Sequence, residues 1–273
     1  MLKEYRQNLH THTSYCDGKD TPDEMIRIAM EKGFHSIGFS GHSYMHYSPG
    51  HSMSPEGTQA YTNEVSALKE KYAGRIAVFL GLEVDMFSEI DMSGYEYLIG
   101  SVHYLPVNGE MVGFDRSREE VARVIHTCFG GSGMAYAKEY YRQLARLPEF
   151  GSFDILGHFD LVCKHAENCR FFDEDAKEYR YAAIEAAEAL AGKIPLFEVN
   201  TGAIARGYRT TPYPSLALIR EMKRMGYGAV ISSDCHDARY LDCAFTQAAE
   251  LLRTAGYTEQ FVLTEKGFVP TAL

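Results

Sequence analysis

The chain has 273 residues, 45% of them apolar, which is enough to bury a large core as one α/β unit. A formal net charge of −10 argues against a protein that grips nucleic acid. No apolar run approaches the length of a membrane span, and the first residues lack a basic-then-apolar export signature, so a soluble cytoplasmic protein is expected, with its six cysteines reduced.

In chain order, short apolar runs end in polar clusters and helical patterns follow. "QNL" leads into His10 and His12, and Asp17 lies five residues on. Thr21-Pro22-Asp23-Glu24 is a capping box with proline at the first helical position, and Gly33 closes that helix. "SIGFSGH" ends at His42, and a helix is expected from Ser54 to Ala73. "AVFLGLE" ends at Glu83 and "YLIGSVH" at His103. Between Pro106 and Ser152 lies the longest gap between strands, expected to cross the mouth of the fold. It carries helices over Ser117–Phe129, opened by the box Ser117…Glu120, and Ser132–Leu147. "FDILGH" ends at His158, and an alanine-rich helix spans Asp173–Ala191. "PLFEVNTG" ends at Asn200 and Thr201, and a helix spans Pro214–Met225. "AVISSDCH" ends at Asp234 and His236, and a last helix spans Leu241–Ala255.

Seven apolar strands alternating with helices imply a parallel sheet covered on both faces. A barrel is favoured over an open sheet, because a barrel brings every strand's C-terminal end to one mouth. Residues i and i+2 of a strand share a side, so His10 and His12 can chelate one ion together. His42, His103, His158 and His236 also stand at strand ends, with Glu83, Asp17 and Asp234 beside them. The remaining histidines (35, 46, 51, 126, 165) fall elsewhere and read as ordinary, with His46 and His51 retaining a route to the mouth. Nine such side chains exceed the needs of one ion and suit two or three. Histidine and carboxylate without thiolate point to zinc, manganese or iron.

In this order, "HTHTSYCDG", "SGH", "GLE", "GSVH", "GHFD" and "SDCH" resemble the motifs of the PHP (polymerase and histidinol phosphatase) family, from His10 to Asp237. The resemblance implies a distorted (β/α)7 barrel forming one domain over residues 1–273, with a trinuclear metal centre. It assigns His10, His12, Glu83 and Asp234 to one ion, Glu83, His103 and His158 to a second, and Asp17, His42 and His236 to a third. Length and the "NTG…R" segment are most similar to the stand-alone members that hydrolyse L-histidinol phosphate in histidine biosynthesis. The implied activity is therefore phosphomonoester hydrolysis, with a hydroxide between two ions attacking phosphorus and Asp234 relaying a proton or serving only as ligand.

A cation outside the ligand set should grip phosphate. Arg206 is the first choice, Arg209 the alternate, and Lys164, Arg116 and Arg118 follow; Ser101 is a candidate hydrogen-bond donor. The expected partner is a small phosphorylated substrate, with no nucleic acid and no membrane; the oligomeric state is open. Two other readings remain: a phosphoesterase acting on nucleotides or nucleic-acid ends, and a non-catalytic metal-binding module.

Overall fold

Residues 5–273 are described in the computed structural model; residues 1–4, which the expected domain includes, lie outside them. The chain runs β1 (Gln7–Asn8), α1 (Pro22–Glu31), β2 (Ser36–Phe39), α2 (Pro55–Lys71), β3 (Ala77–Asp85) and β4 (Tyr97–Ser101). It continues with the antiparallel hairpin β5 (Tyr104–Val107) and β6 (Glu110–Gly113), then α3 (Arg118–Cys128), α4 (Gly133–Leu144) and β7 (Ile155–Leu156). Next come α5 (Lys177–Leu190), β8 (Leu196–Asn200), the short α6 (Gly202–Ala205), α7 (Leu216–Arg224) and β9 (Gly228–Ser232). Last are α8 (Phe245–Ala255) and the hairpin β10 (Glu259–Thr264) with β11 (Gly267–Ala272).

Seven strands pair in parallel in the order β1-β2-β3-β4-β7-β8-β9. The sheet closes where Thr11 bridges Cys235: His12 N–H donates to the Cys235 carbonyl at 2.8 Å, and Cys235 N–H to His10 at 3.0 Å. The expected seven-stranded α/β barrel is therefore the observed one. Closure joins the His10–His12 segment to the Asp234–His236 segment, so residues more than two hundred positions apart share a rim.

The barrel interior is narrow. Tyr97 fills it from β4 and donates from its hydroxyl to the Leu9 carbonyl at 2.5 Å. A Cβ at Gly38 or Gly81 would collide with that phenol, which explains a glycine in each facing strand. Leu9, Phe79, Ile99, Ile155, Leu196 and Val230 complete this inner core; the larger core lies between the strands and the surrounding helices. Both capping boxes form, Thr21 with Glu24 and Ser117 with Glu120, and α1 buries Met25, Ile26 and Ala29.

Three helices start later than the sequence pattern implies. Helix α5 begins at Lys177, because the Asp173 carboxylate takes the Asp175 N–H (2.9 Å) into a local turn. Helix α7 begins at Leu216, and Ser215 N–H instead donates to Asp160 at 3.1 Å. Helix α8 begins at Phe245, after Ala244 adopts φ +54°. Neither hairpin is anticipated by the strand-then-helix rhythm. The β10–β11 hairpin covers the N-terminal end of the barrel, where Gln7 exchanges side-chain hydrogen bonds with both backbone groups of Leu263, at 2.8 and 2.7 Å. No helix among the described residues is long and apolar enough to cross a membrane.

Candidate metal centre and cavity

Glu83, near the end of the nine-residue β3, is buried at the barrel mouth and is the hub of the site. Its Oε2 lies 2.9 Å from His42 Nδ1, 3.3 Å from His10 Nε2 and 3.5 Å from His12 Nε2. Its Oε1 lies 3.0 Å from His158 Nε2 and 3.3 Å from His103 Nε2. Asp234 faces the same point from β9, with Oδ1 at 3.2 Å from His12 Nε2 and 3.6 Å from His10 Nε2. Asp234 sits at φ +46°, a conformation uncommon outside glycine and one that persists where surrounding structure enforces it.

Asp17 is brought in by the loop after β1. Cys16 and Gly18 N–H both donate to the Thr13 carbonyl, and Lys19 N–H donates to His236 at 2.9 Å. Gly18 packs so closely on the His12 backbone that no side chain fits. The Asp17 Oδ1 then lies 3.3 Å from His236, 3.7 Å from His42 and 3.8 Å from His12. All nine side chains singled out from strand ends thus meet at one end of the barrel.

The electrostatics follow from this crowding. Burial works against charge on Glu83, yet His10, His42 and His103 hold its carboxyl well below the usual range. Asp234 is likewise held low against burial, chiefly by Arg206 and then His10. Burial, with His236 and His42 alongside, pushes the His12 imidazole down to about 3. Burial also opposes a charge on His10, but Glu198, Glu83 and Asp234 outweigh it and hold that imidazole well above its ordinary value.

Four buried polar atoms at this point, His10 Nε2, His12 Nε2, Asp17 Oδ1 and Glu83 Oε2, have no hydrogen-bond partner among the described residues. Orphaned buried donors and acceptors are costly, and a cluster of imidazole nitrogens and carboxylate oxygens facing one another suits a cation. Ligand-type atoms within 4.8 Å of one another form overlapping sets: His12, Asp17, His42, His236; His10, His12, Asp234; His10, Glu83, His158; and His42, Glu83, His103. The residues therefore fit divalent metal ions, and they fit more than one.

Above the cluster opens a cavity of about 390 Å³. Its walls include Asp17, His42, His103, His158, Asp234 and His236 from the cluster and Arg206, Lys164 and Arg116 as cations, with Asp115 and Tyr208 beside Lys164 and Tyr104 beside Arg116. Arg206, just past α6, donates to Asp234 Oδ2 at 2.8 Å and to the Asp234 carbonyl at 3.0 Å. Lys164 donates to the Asp115 carbonyl and lies over the Tyr208 ring. Burial lowers its ammonium, with Asp115 opposing and Arg206 assisting that shift. The segment after β4 crosses part of the mouth as expected, contributing Asp115, Arg116, Ser117 and Glu120.

Two expected substrate contacts need correction. Arg209 does not reach the cavity: its guanidinium donates to the Cys163 carbonyl at 2.6 Å, pairs with Glu174 and Glu167 at 3.4 and 3.7 Å, and lies over Tyr213. Those contacts occupy its guanidinium, and it does not line the cavity. Ser101 is fully buried and donates to Glu83 Oε1 at 2.7 Å, so it orients the hub carboxylate instead of facing a ligand. Two carboxylates not singled out in the sequence also serve the site: Asp85 accepts from His103 N–H at 3.0 Å and Tyr47 OH at 2.7 Å, and Glu198 lies 2.9 Å from His10 Nδ1. A carboxylate inside the otherwise apolar run LFEV was the available signal for Glu198, and a second carboxylate two residues after Glu83 the signal for Asp85. His51, which retains a route to the mouth in the sequence, lies at the cavity wall with Nδ1 3.6 Å from Asp17 Oδ2.

A seven-stranded parallel barrel with a histidine- and carboxylate-lined mouth defines the class, and residues 8–202 match the PHP domain; the chain belongs to that family. It is 30% identical over 261 residues to a "Probable histidinol-phosphatase" of Deinococcus radiodurans, covering 90% of this chain and 92% of that one. It is 27% identical to a "Histidinol-phosphatase" of Bacillus subtilis over 85% and 94% of the two chains. Its fold is similar to that of a histidinol phosphate phosphatase from Lactococcus lactis, crystallised with zinc, L-histidinol and phosphate. That likeness has a TM-score of 0.73 at 21% identity, over 97% of this chain and 98% of the other.

Proposed function

We propose that this chain is a metal-dependent phosphomonoesterase that hydrolyses L-histidinol phosphate to L-histidinol and phosphate. The observation that carries the reading is the set of orphaned ligand-type atoms around Glu83 beside a cavity that Arg206, Lys164 and Arg116 also line. The two relatives' names supply the substrate. The whole chain acts as one such domain, in the cytoplasm, and its partner is this small phosphorylated molecule; a cavity of about 390 Å³ is of the size that small ligands occupy.

In this reading His10, His12, Glu83 and Asp234 hold one ion, Glu83, His103 and His158 a second, and Asp17, His42 and His236 a third, with zinc, manganese or iron as the metal. Divalent ions bound there supply charge neutralisation at a phosphoryl group and acidify water. Arg206 orients the phosphoryl oxygens through the part of its guanidinium exposed to the cavity, while its remaining donors hold Asp234. Asp234, whose Oδ2 is held by Arg206 at 2.8 Å, turns Oδ1 toward His10 and His12, where it serves as a ligand or relays a proton from the attacking water to the departing alkoxide. Lys164 adds a second positive charge to the same wall. The reaction consumes one water and releases one alcohol and one phosphate.

The test is steady-state turnover of L-histidinol phosphate against a panel of phosphomonoesters that includes nucleotides, before and after chelation. The expected result is a clear preference for L-histidinol phosphate that is abolished by chelator and restored by divalent metal. Equal rates across the panel would reject the substrate, and chelator-resistant hydrolysis would reject the metal.

A further inference from the structure

We infer that Glu198 is a positioning residue that sets the histidines on two sides of the metal centre. It lies in the middle of β8, wholly buried, at a position where an apolar side chain would fill the barrel at no electrostatic cost. Its only salt-bridge partner among the described residues is His10. Its two oxygens instead collect hydrogen bonds from four groups. Both oxygens face His10 Nδ1, Oε2 at 2.9 Å and Oε1 at 3.1 Å, and Oε2 also accepts from Ser232 Oγ at 2.5 Å. Oε1 accepts from His158 N–H at 2.6 Å and Asn200 Nδ2 at 2.8 Å. Asn200 passes the network on, accepting from Gly202 N–H at 2.9 Å at the start of α6, the helix that leads to Arg206.

A carboxylate can only accept, so Nδ1 of His10 carries a proton against it. When the imidazole is neutral, its lone pair is then on Nε2, the orphaned atom that faces Glu83 and Asp234. The His158 backbone bond fixes where the second histidine leaves its strand. A glutamine at 198 retains the shape and reverses this logic. If its amide nitrogen replaces Oε1, it meets two donors, the His158 N–H and the Asn200 amide. If it replaces Oε2, the shorter of the two contacts to His10 Nδ1 becomes a donor, which works against the Nδ1–H tautomer and so against the lone pair offered to the metal at Nε2. Either placement weakens the centre without touching a ligand.

The inference rests on the metal-centre part of the proposed function and is independent of which ester is hydrolysed, because its test contains no substrate. The full-length protein, loaded with zinc, is titrated with a chromophoric chelator, and unfolding of the chelated protein is followed in parallel. For Glu198→Gln the affinity for at least one zinc equivalent should fall about 10–100-fold. Glu198→Asp, which keeps the charge but shortens the reach to His10, should fall between that variant and the parent. Ser232→Ala removes a donor from the same carboxylate and leaves His10 in place; it should stay within about threefold of the parent. A purely structural role would lower the stability of chelated Glu198→Gln and leave zinc affinity of the folded protein unchanged, and that result overturns the inference. Should Glu198→Gln fail to fold, Glu198→Asp decides: reduced zinc affinity supports the inference, and parental affinity overturns it.

Discussion

Arg206 binds both ends of Asp234, its side-chain Oδ2 at 2.8 Å and its backbone carbonyl at 3.0 Å, and so clamps a residue held at φ +46°. The guanidinium also reaches His236 Nδ1 at 3.1 Å. One cation thus braces the rim of the barrel at the point where β9 delivers two of the nine side chains.

This double role shapes the outcome of Arg206→Ala. Loss of a charge-assisted contact to phosphate should lower kcat/KM by a factor corresponding to about 2–4 kcal/mol. Arg206→Lys should recover only part, since a point charge lacks the planar fork that holds two acceptors. A change in KM alone would indicate binding shared by ground and transition states, and a change in kcat would indicate the transition state. An unaltered kcat/KM in the alanine variant would transfer the phosphate contact to Lys164 or Arg116.

Glu83→Gln tests the hub. The carboxylate faces five imidazoles through its two oxygens, and a neutral amide cannot balance the cations those imidazoles would share. Bound metal, measured by elemental analysis, should fall by at least one equivalent, and turnover should nearly vanish. Normal metal content with full activity would remove Glu83 from the centre.

Arg209→Ala should act on stability and not on substrate. The side chain is 5% exposed, and its loss strands the Cys163 carbonyl and the carboxylates of Glu167 and Glu174. A destabilisation of about 2–3 kcal/mol is expected in denaturant unfolding. KM for the phosphate ester should be unchanged in the folded variant; a large rise in KM would restore Arg209 to the substrate site.

The contact between α1 and α2 has a predictable pH dependence. Asp23 accepts from Lys71 at 2.5 Å and Tyr72 at 2.9 Å, and its carboxyl lies below the ordinary range, chiefly because of the Lys71 hydrogen bond. A lowered folded-state pKa contributes stability above the unfolded value, and that stability is lost as pH falls through the folded one. The stability gap between the parent and Asp23→Asn, both kept in chelator, should therefore narrow as pH is lowered from about 6 toward about 3. Added salt should narrow it too, because the pair is partly exposed. A gap that widens toward acid would contradict the assignment.

The sequence by itself determined the seven barrel strands, the two capping boxes and the nine ligand-type side chains, because these are local properties. A period of two sets which residues share a side, and a polar group ending an apolar run marks where a parallel strand leaves the core. Which way an inner side chain faces is not local. Both faces of a barrel strand are apolar, so Glu198 shows no sign of His10 until closure carries the β1 end round to it, and Asp85 none of His103 until β4 pairs with β3. Arg206 and Arg209 are three residues apart in one loop, and only the packing of that loop turns one toward Asp234 and the other toward Cys163 and Glu174. The closing bridge from Thr11 to Cys235 and the hairpin beneath the barrel were likewise decided by contacts between distant segments. Such contacts depend on which surfaces meet after the barrel curls, and no spacing within a single strand records that.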